Sequence, residues 1–192
     1  MAKKQILFSE SVIMDSIEDE ELKFNLINLL EYHERNSPNT IISNVGGFQT
    51  PAIEDENINS IFLKKSAELL NENYNIKNTR LTLKRLWINR NFKYNINEPH
   101  THSDCHFSGV YYLKTPKQGG ALKFYRNDKS VEFLPNNFPI KNSKDFHNFV
   151  KIQPVENGLI LFPSFMTHMV LPHYEEDSRI SVSFNIEVLP NG

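Results

Sequence analysis

Short apolar runs separated by turn residues fill the chain from residue 79 onward, and they constrain its fold more than any other feature. Strands are predicted over residues 80–88, 107–113, 121–125, 149–152, 158–162, 168–170 and 179–188. Proline, glycine and asparagine residues interrupt these runs at Pro116, Gly119, Gly120, Pro135, Asn136 and Asn137. Many short strands with turns between them are typical of a β-sandwich or barrel.

Two amphipathic helices are predicted before those strands. Ser16 can cap the first, because an acidic turn follows it and leucines then recur at helical spacing until about Ser37. Ile58 begins the second, which ends near Asn73. We therefore expect an α+β fold in a single domain over residues 1–192, with a helical cover at about 1–78 and a β core at about 79–190.

The composition of the 192 residues excludes several classes of protein. Lys and Arg number 21 against 23 Asp and Glu, so no overall positive charge attracts nucleic acid, which is not expected as a partner. Cys105 is the single cysteine and has no second cysteine for an intramolecular disulfide. Neither a signal peptide nor an apolar stretch of roughly 20 residues is evident. We expect a cytoplasmic protein that does not enter a membrane.

Three histidines and an aspartate crowd into residues 100–106, directly before a strongly β run. In an extended segment, residues two apart point to the same side, so His102 and Asp104 can share one metal ion. His168 begins a later strand and is the candidate for a third ligand. Two imidazoles and one carboxylate with open positions form the iron(II) arrangement that activates O2. A closed structural zinc site would normally need more than one cysteine.

The last predicted strand has a polar face. Alternation places Arg179, Ser181, Ser183 and Asn185 on one side and apolar residues on the other. An arginine and a serine two residues apart can clamp a carboxylate, because guanidinium binds carboxylate through two parallel hydrogen bonds. This face therefore predicts a lining for an anionic ligand.

Taken in order, these motifs resemble the 2-oxoglutarate and iron(II) oxygenase superfamily. The resemblance covers about residues 79–188 and is greatest for short bacterial and phage proteins related to prolyl 4-hydroxylases. It is carried by the following residues: His102 and Asp104, the run from Ser108 to Leu113, Gly119 and Gly120, His168, and Arg179 with Ser181. The resemblance implies a double-stranded β-helix (jelly-roll, cupin-like) core on which the N-terminal helices pack. It also implies that His100 is a rival to Asp104, because relatives often carry His-x-His there.

The same resemblance implies a function. Arg179 and Tyr112 would hold the distal carboxylate of 2-oxoglutarate, Ser181 would assist, and Asn89 would line the site. The chain would then be a dioxygenase that uses iron(II), O2 and 2-oxoglutarate, releases succinate and CO2, and takes ascorbate as a possible reductant. Its primary substrate would be a peptidyl residue such as proline, with a small molecule as the alternative.

Two other functions stay open at this point. One is a cupin-like metal enzyme that does not use 2-oxoglutarate, and the other is a non-catalytic binding module. If the source is viral, the expected location is the host cytoplasm. Residues 127–149 are predicted to form a lid over the site.

Overall fold

Eleven strands and two helices make up the part of the chain that the computed structural model describes, residues 9–74, 76, 78–127 and 147–191. In chain order they are β1 (Ile13–Ser16), α1 (Glu20–Asn36), β2 (Asn44–Val45), β3 (Phe48–Gln49), α2 (Glu56–Tyr74), β4 (Thr79–Asn91), β5 (Ile96–His100), β6 (Phe107–Lys114), β7 (Leu122–Tyr125), β8 (Phe149–Ile152), β9 (Gly158–Pro163), β10 (His168–Val170) and β11 (Arg179–Pro190). Neither helix is long and apolar enough to cross a membrane.

The strands form two antiparallel sheets that pack face to face. The major sheet has the order β1-β9-β6-β11-β4-β3 and the minor sheet the order β2-β5-β10-β7-β8. Between them lies an apolar cluster from both sheets: Val110, Tyr112, Leu122, Phe124, Ile160, Phe162 and Met166. The two strand orders show that consecutive strands alternate between the sheets along much of the chain. This is the predicted double-stranded β-helix.

Both helices cover the outer face of the major sheet. Leucines at positions 22, 26 and 30 of α1, with Ile58, Phe62 and Leu69 of α2, pack on outward residues of the sheet. The sheet contributes Leu86, Ile88, Tyr111, Leu113, Leu159, Leu161, Ile180, Val182, Phe184 and Ile186. The predicted helical cover is therefore present. It buries the apolar side chains that alternate with inward-facing side chains along each strand.

The register of β11 fixes what the inner face of the major sheet presents. Ser181 lies between Tyr112 of β6 and Asn89 of β4, and Ser183 lies between Val110 and Trp87. On the outer face, a Cβ atom at Gly109 would lie 2.2 Å from Cζ of Phe184, so only glycine fits above this ring. Polar side chains thus line the inner face while aromatic packing holds the outer one.

The predicted helices and strands are observed, with most ends moved by a few residues at most. One detail was wrong: Ser16 does not cap α1, because its backbone belongs to β1 and pairs with Gly158 of β9. Asp19 is the cap instead, and its side chain accepts a hydrogen bond of 2.9 Å from the backbone N–H of Leu22. The strands β1, β2, β3 and β5 were not predicted. Most of the predicted lid, residues 128–146, lies outside the described residues.

Candidate active site

A cavity of about 180 Å³ opens on the inner face of the major sheet. Its walls come from β4, β6 and β11 on one side and from β5, β7 and β10 on the other. The predicted site residues that line it are Asn89, His102, Tyr112, His168, Arg179 and Ser181. Six side chains that are far apart in the sequence therefore meet in one place.

Three histidines form a compact cluster at this cavity. His100 ends β5, His168 begins β10, and the two are paired across the minor sheet. His102 follows two residues after His100, and its backbone N–H is fixed by a hydrogen bond of 3.0 Å to the carbonyl of Ser164. One ring nitrogen from each of His100, His102 and His168 lies within 4.8 Å of the other two. Such a spacing suits three ligands of one metal ion.

Hydrogen bonds orient two of these rings. Nδ1 of His168 lies 2.9 Å from the carbonyl oxygen of Met166, and Nδ1 of His100 lies 2.6 Å from that of Glu98. A carbonyl only accepts, so each Nδ1 carries the proton and donates it. Each Nε2 is therefore left unprotonated for a metal. A carbonyl behind the ring is the usual way in which proteins orient a histidine ligand.

The cluster is neutral in the metal-free protein. Burial lowers the pKa of His100, and it lowers the pKa of His102 to about 4 and that of His168 to about 3. Repulsion by His100 adds to the lowering at the other two positions. Neutral imidazole is the form that binds metal, so at pH 7 no proton has to leave before an ion enters.

Asp104 is not a member of this cluster. Its side chain is exposed, and its backbone has a φ of 59°, in the left-handed region. The prediction that His102 and Asp104 point to the same side assumed an extended backbone from one to the other. Because β5 ends at His100 and a turn follows, that alternation does not apply at Asp104.

Arg179 is the most deeply buried charged group of the cavity, with a relative exposure of 1%. Its Nη1 donates to the carbonyl oxygens of Gly119 and Gly120, each at 2.9 Å. Gly120 has a φ of 73°, and a Cβ there would lie 2.3 Å from the carbonyl oxygen of Leu171, so the turn needs glycine. No acidic side chain of the described residues pairs with Arg179. A buried cation without an anion is a site for an anionic ligand.

The side chains around Arg179 suit a carboxylate. Tyr112 lies on the neighbouring strand, and burial raises the pKa of its hydroxyl to about 12 against a smaller opposing effect of the Arg179 charge. Its hydroxyl therefore stays protonated and can donate. Ser181 offers a second hydroxyl two residues from Arg179, and the side-chain oxygen of Asn89 is buried without a hydrogen-bond partner. An unpaired acceptor beside these donors indicates that a ligand or water completes the network.

The residues present fit both an iron ion and 2-oxoglutarate. The cluster offers three neutral nitrogen ligands, and the buried guanidinium can neutralise a carboxylate in the same cavity. The sequence predicted His100 only as a rival ligand and did not identify Trp87 as a site residue. The ring centroid of Trp87 lies 5.9 Å from that of His102, and its side chain lines the cavity. Alternation along β4 with Asn89 was the available signal for Trp87.

The sequence of residues 85–185, more than half of the chain, matches the family model of 2OG-Fe(II) oxygenases. The chain belongs to the 2-oxoglutarate and iron(II) oxygenase family. It is therefore an enzyme of the 2-oxoglutarate-dependent dioxygenase type, as predicted. No curated protein matches the chain by sequence.

Several solved structures share its fold. A prolyl-4-hydroxylase from Pseudomonas putida is 15% identical with a TM-score of 0.61, covering 96% of this chain and 95% of its own. The viral collagen prolyl hydroxylase of Paramecium bursaria Chlorella virus-1, in a 2-oxoglutarate complex, is 16% identical with a TM-score of 0.59. The match covers 91% of this chain and 94% of the viral one. HygX of Streptomyces hygroscopicus, with nickel, 2-oxoglutarate and hygromycin B bound, is 11% identical with a TM-score of 0.64, covering 93% and 83%. The resemblance to prolyl-4-hydroxylase-like oxygenases is thus confirmed for both bacterial and viral proteins.

Proposed function

We propose that this oxygenase holds iron(II) through Nε2 of His100 and His168 and one ring nitrogen of His102, and that it hydroxylates a peptidyl residue such as proline. The observation that carries the ligand set is the approach of the three ring nitrogens to within 4.8 Å of one another. Asp104 is the alternative to His100, as the combination of two histidines and one carboxylate is the commoner iron(II) site. Three neutral imidazole ligands add no negative charge to the site. The carboxylate of 2-oxoglutarate that binds the metal would therefore neutralise a larger part of the metal's positive charge.

Arg179 is proposed to bind the distal carboxylate of 2-oxoglutarate. The support is its burial together with the absence of an acidic partner in the described part of the chain. The carbonyls of Gly119 and Gly120 fix Nη1, which leaves the other edge of the guanidinium for the ligand. Tyr112 and Ser181 would donate to the same carboxylate, and Asn89 would line the site. Three donors at one end would set which end of the keto-acid reaches the metal.

Bound iron and 2-oxoglutarate would supply the oxidising chemistry, in which O2 converts 2-oxoglutarate to succinate and CO2 and the substrate gains a hydroxyl group. The chain's own part is to bind, orient and exclude water. Phe162 packs edge-on against His168 with ring centroids 4.7 Å apart, and Phe124 lies 6.0 Å from it. These rings exclude water from the His168 imidazole and hold its orientation. Ascorbate would act as a reductant that keeps the iron in its iron(II) state.

The choice of a peptidyl substrate is supported by the prolyl hydroxylases that share the fold. A small molecule is the second candidate, because HygX shares the fold as well and its solved structure has hygromycin B bound. A location in the cytoplasm, or in that of a host if the source is viral, stays a prediction. So does the single domain spanning residues 1–192.

Succinate formation tests the proposal. With iron(II), ascorbate, O2 and 2-oxoglutarate but no primary substrate, slow release of succinate is expected. Proline-containing peptides should accelerate that release and gain mass equal to one oxygen atom. Acceleration by free amino acids or other small molecules alone would overturn the peptidyl assignment. No succinate at all would favour a cupin-like enzyme or a binding module.

The ligand set is tested by calorimetric titration of iron(II) under anaerobic conditions. His100→Ala and His168→Ala should each weaken binding by more than about 100-fold, since even the loss of a ligand's outer hydrogen-bond partner costs about 10- to 100-fold. Asp104→Ala is the matched control and should bind nearly as the wild type does. Normal binding by His100→Ala together with a loss in Asp104→Ala would establish the carboxylate as the third ligand.

A further inference from the structure

A second arginine faces the cavity at a distance from Arg179 along the sheet. Arg85, Trp87 and Asn89 alternate on β4, and all three line the cavity. Asn89 lies opposite Ser181 in the register, whereas Arg85 lies opposite Asn185. Along β11, Asn185 is six residues from Arg179, which is roughly 20 Å along an extended strand. Arg85 therefore lies near the other end of the inner face.

Arg85 has no anionic partner among the described residues. Two neighbouring cations of β4 do have one: Lys84 reaches Glu187 at 3.4 Å, and Arg90 reaches Glu34 at 2.7 Å. The Nε atom of Arg85 is buried without a hydrogen bond, and its guanidinium carbon lies 5.5 Å from the centre of the Trp87 ring. A cation–π contact does not use the hydrogen-bond donors of the guanidinium edge. These donors remain available to a ligand.

A chain of hydrogen bonds makes Asn185 a donor beside Arg85. The Ser108 hydroxyl donates to Oδ1 of Asn185 at 3.0 Å, so its own oxygen accepts from Ser164 at 2.8 Å. Ser164 in turn accepts from the Cys105 thiol at 3.2 Å. With Oδ1 occupied in this way, the amide nitrogen of Asn185 is left to donate into the cavity. Arg85 and Asn185 together therefore present guanidinium and amide N–H donors to the cavity.

This pair of donors lies next to the proposed metal. The Trp87 ring is near both groups: its centroid lies 5.9 Å from that of His102 and 5.5 Å from the guanidinium carbon of Arg85. Arg85 therefore lies at the end of the cavity where Trp87 meets His102, one of the proposed metal ligands. Arg179 at the opposite end is assigned to 2-oxoglutarate, so Arg85 is not needed for that co-substrate.

We propose that the primary substrate carries an oxyanion, a carboxylate or a phosphate, which Arg85 and Asn185 bind while Trp87 positions the neighbouring group at the metal. The inference rests on the proposed function of the cavity and names the class of substrate it takes. It distinguishes an acidic substrate from a neutral prolyl peptide. The unpaired Arg85 guanidinium would select acidic substrates over neutral ones, which neither the metal nor Arg179 would do.

Binding and turnover of matched probes test this. The probes are acetyl-Asp-Pro-amide with acetyl-Asn-Pro-amide, the phosphoserine and serine forms of acetyl-Ser-Pro-amide, and L-proline with L-prolinamide. Calorimetry on protein loaded with nickel(II) and 2-oxoglutarate gives affinity, and succinate release from the iron enzyme gives turnover. The acidic member of at least one pair should bind about 10-fold tighter or more, as expected for a hydrogen bond to a charged group. The responding pair identifies the source of the oxyanion.

Variants test whether Arg85 causes the preference for the acidic member of a pair. Arg85→Gln should abolish the preference for the acidic member, and Arg85→Lys should restore part of it. Lys84→Gln removes the same charge from the exposed neighbouring position and should keep the preference and the basal turnover. Equal binding of both members, a preference that survives in Arg85→Gln, or no binding of any probe up to about 10 mM would overturn the inference. Absence of succinate in the wild type with an intact binding preference would instead refute the proposed function alone.

Discussion

The two faces of the major sheet are built from the same strands, yet they do different work. Tyr111 and Tyr112 are neighbours on β6: the first packs against Phe62 of α2 on the outer face, and the second faces the cavity beside Arg179. Over residues 179–186 of β11, the outward side chains are apolar and buried, whereas the inward side chains are serines, an asparagine and an arginine.

The difference shows how the fold separates stability from chemistry. The outer face buries aromatic and aliphatic groups that stabilise the protein through their packing. The inner face holds a guanidinium with no acidic partner among the described residues and faces the neutral imidazoles across the cavity, and all of these groups would be better solvated in the unfolded chain. We therefore expect outer-face substitutions to change the free energy of unfolding and inner-face substitutions to change ligand affinity.

Truncating Phe62 should give the largest change in stability. Its ring is fully buried and contacts Tyr111 and Phe184, with centroids 5.7 and 5.1 Å apart. Phe62→Ala should lower the free energy of unfolding by about 3–5 kcal/mol. Chemical denaturation measures this, and the folded fraction should bind iron and 2-oxoglutarate as the wild type does. If Phe62→Ala kept wild-type stability but bound its ligands more weakly, the outer face would not be the one that determines stability.

Truncating Arg179 should give the converse result. Arg179→Ala should weaken 2-oxoglutarate binding by about 30- to 5000-fold, equal to about 2–5 kcal/mol, with little effect on iron binding. Arg179→Lys keeps the charge without the planar fork and should lie between the two. Arg90→Gln, which removes an arginine paired with Glu34 of α1 on the outer side, is the matched control and should leave that affinity unchanged. Unchanged affinity in folded Arg179→Ala would remove Arg179 from the site.

The histidine cluster should make the metal-free protein less stable in acid. The folded pKa values of His102 and His168, about 4 and about 3, lie below the unfolded value of about 6.5. The unfolded chain therefore binds more protons as the pH falls from 6.5, and stability is lost. Between pH 7.5 and pH 5, we expect a loss of about 2–4 kcal/mol from this source.

Denaturation of chelator-treated protein at the two pH values measures that loss. A double variant with glutamine at both positions, His102→Gln with His168→Gln, should show a flatter dependence on pH. An equal dependence in the wild type and the double variant would show that the cluster is not the cause.

The smallest expected effect is at the start of α1, on the outer side of the major sheet. Asp19→Ala removes the cap and should lower the free energy of unfolding by about 1 kcal/mol. Ser16→Ala should change it by less than about 0.5 kcal/mol, because Ser16 is not the cap. Thermal unfolding of both variants compares them, and a larger effect at Ser16 would reverse the assignment.

The sequence predicts most of the fold because the apolar runs in β4, β6 and β9 and the alternation along β11 are clear. The missed strands lack that signal. Ile96–His100 contains asparagine, glutamate and proline, and the strands at Asn44 and Phe48 have two residues each. Such segments become strands because neighbouring strands of the sheets offer hydrogen-bond partners, which is a property of the tertiary structure.

The site was predictable where it depends on strands and not where it depends on turns. Arg179 and Ser181 lie on a regular strand, so alternation placed them together on its polar side, whereas the resemblance to the oxygenase superfamily selected Tyr112. The spacing of two residues applies equally to His100 with His102 and to His102 with Asp104. Only the backbone after β5 distinguishes these pairs, and the positive φ at Asp104 is not readable from the sequence. The third ligand therefore stays a prediction.

Anaerobic addition of iron(II) and 2-oxoglutarate to the wild-type protein tests the central claim most directly. If both bind in the one cavity, a weak visible charge-transfer band of the chelate should appear only when protein, metal and keto-acid are all present. Pyruvate, which lacks the distal carboxylate that Arg179 is proposed to bind, should give no band at the same concentration. No band with 2-oxoglutarate at saturating iron(II), or an equal band with pyruvate, would contradict the account.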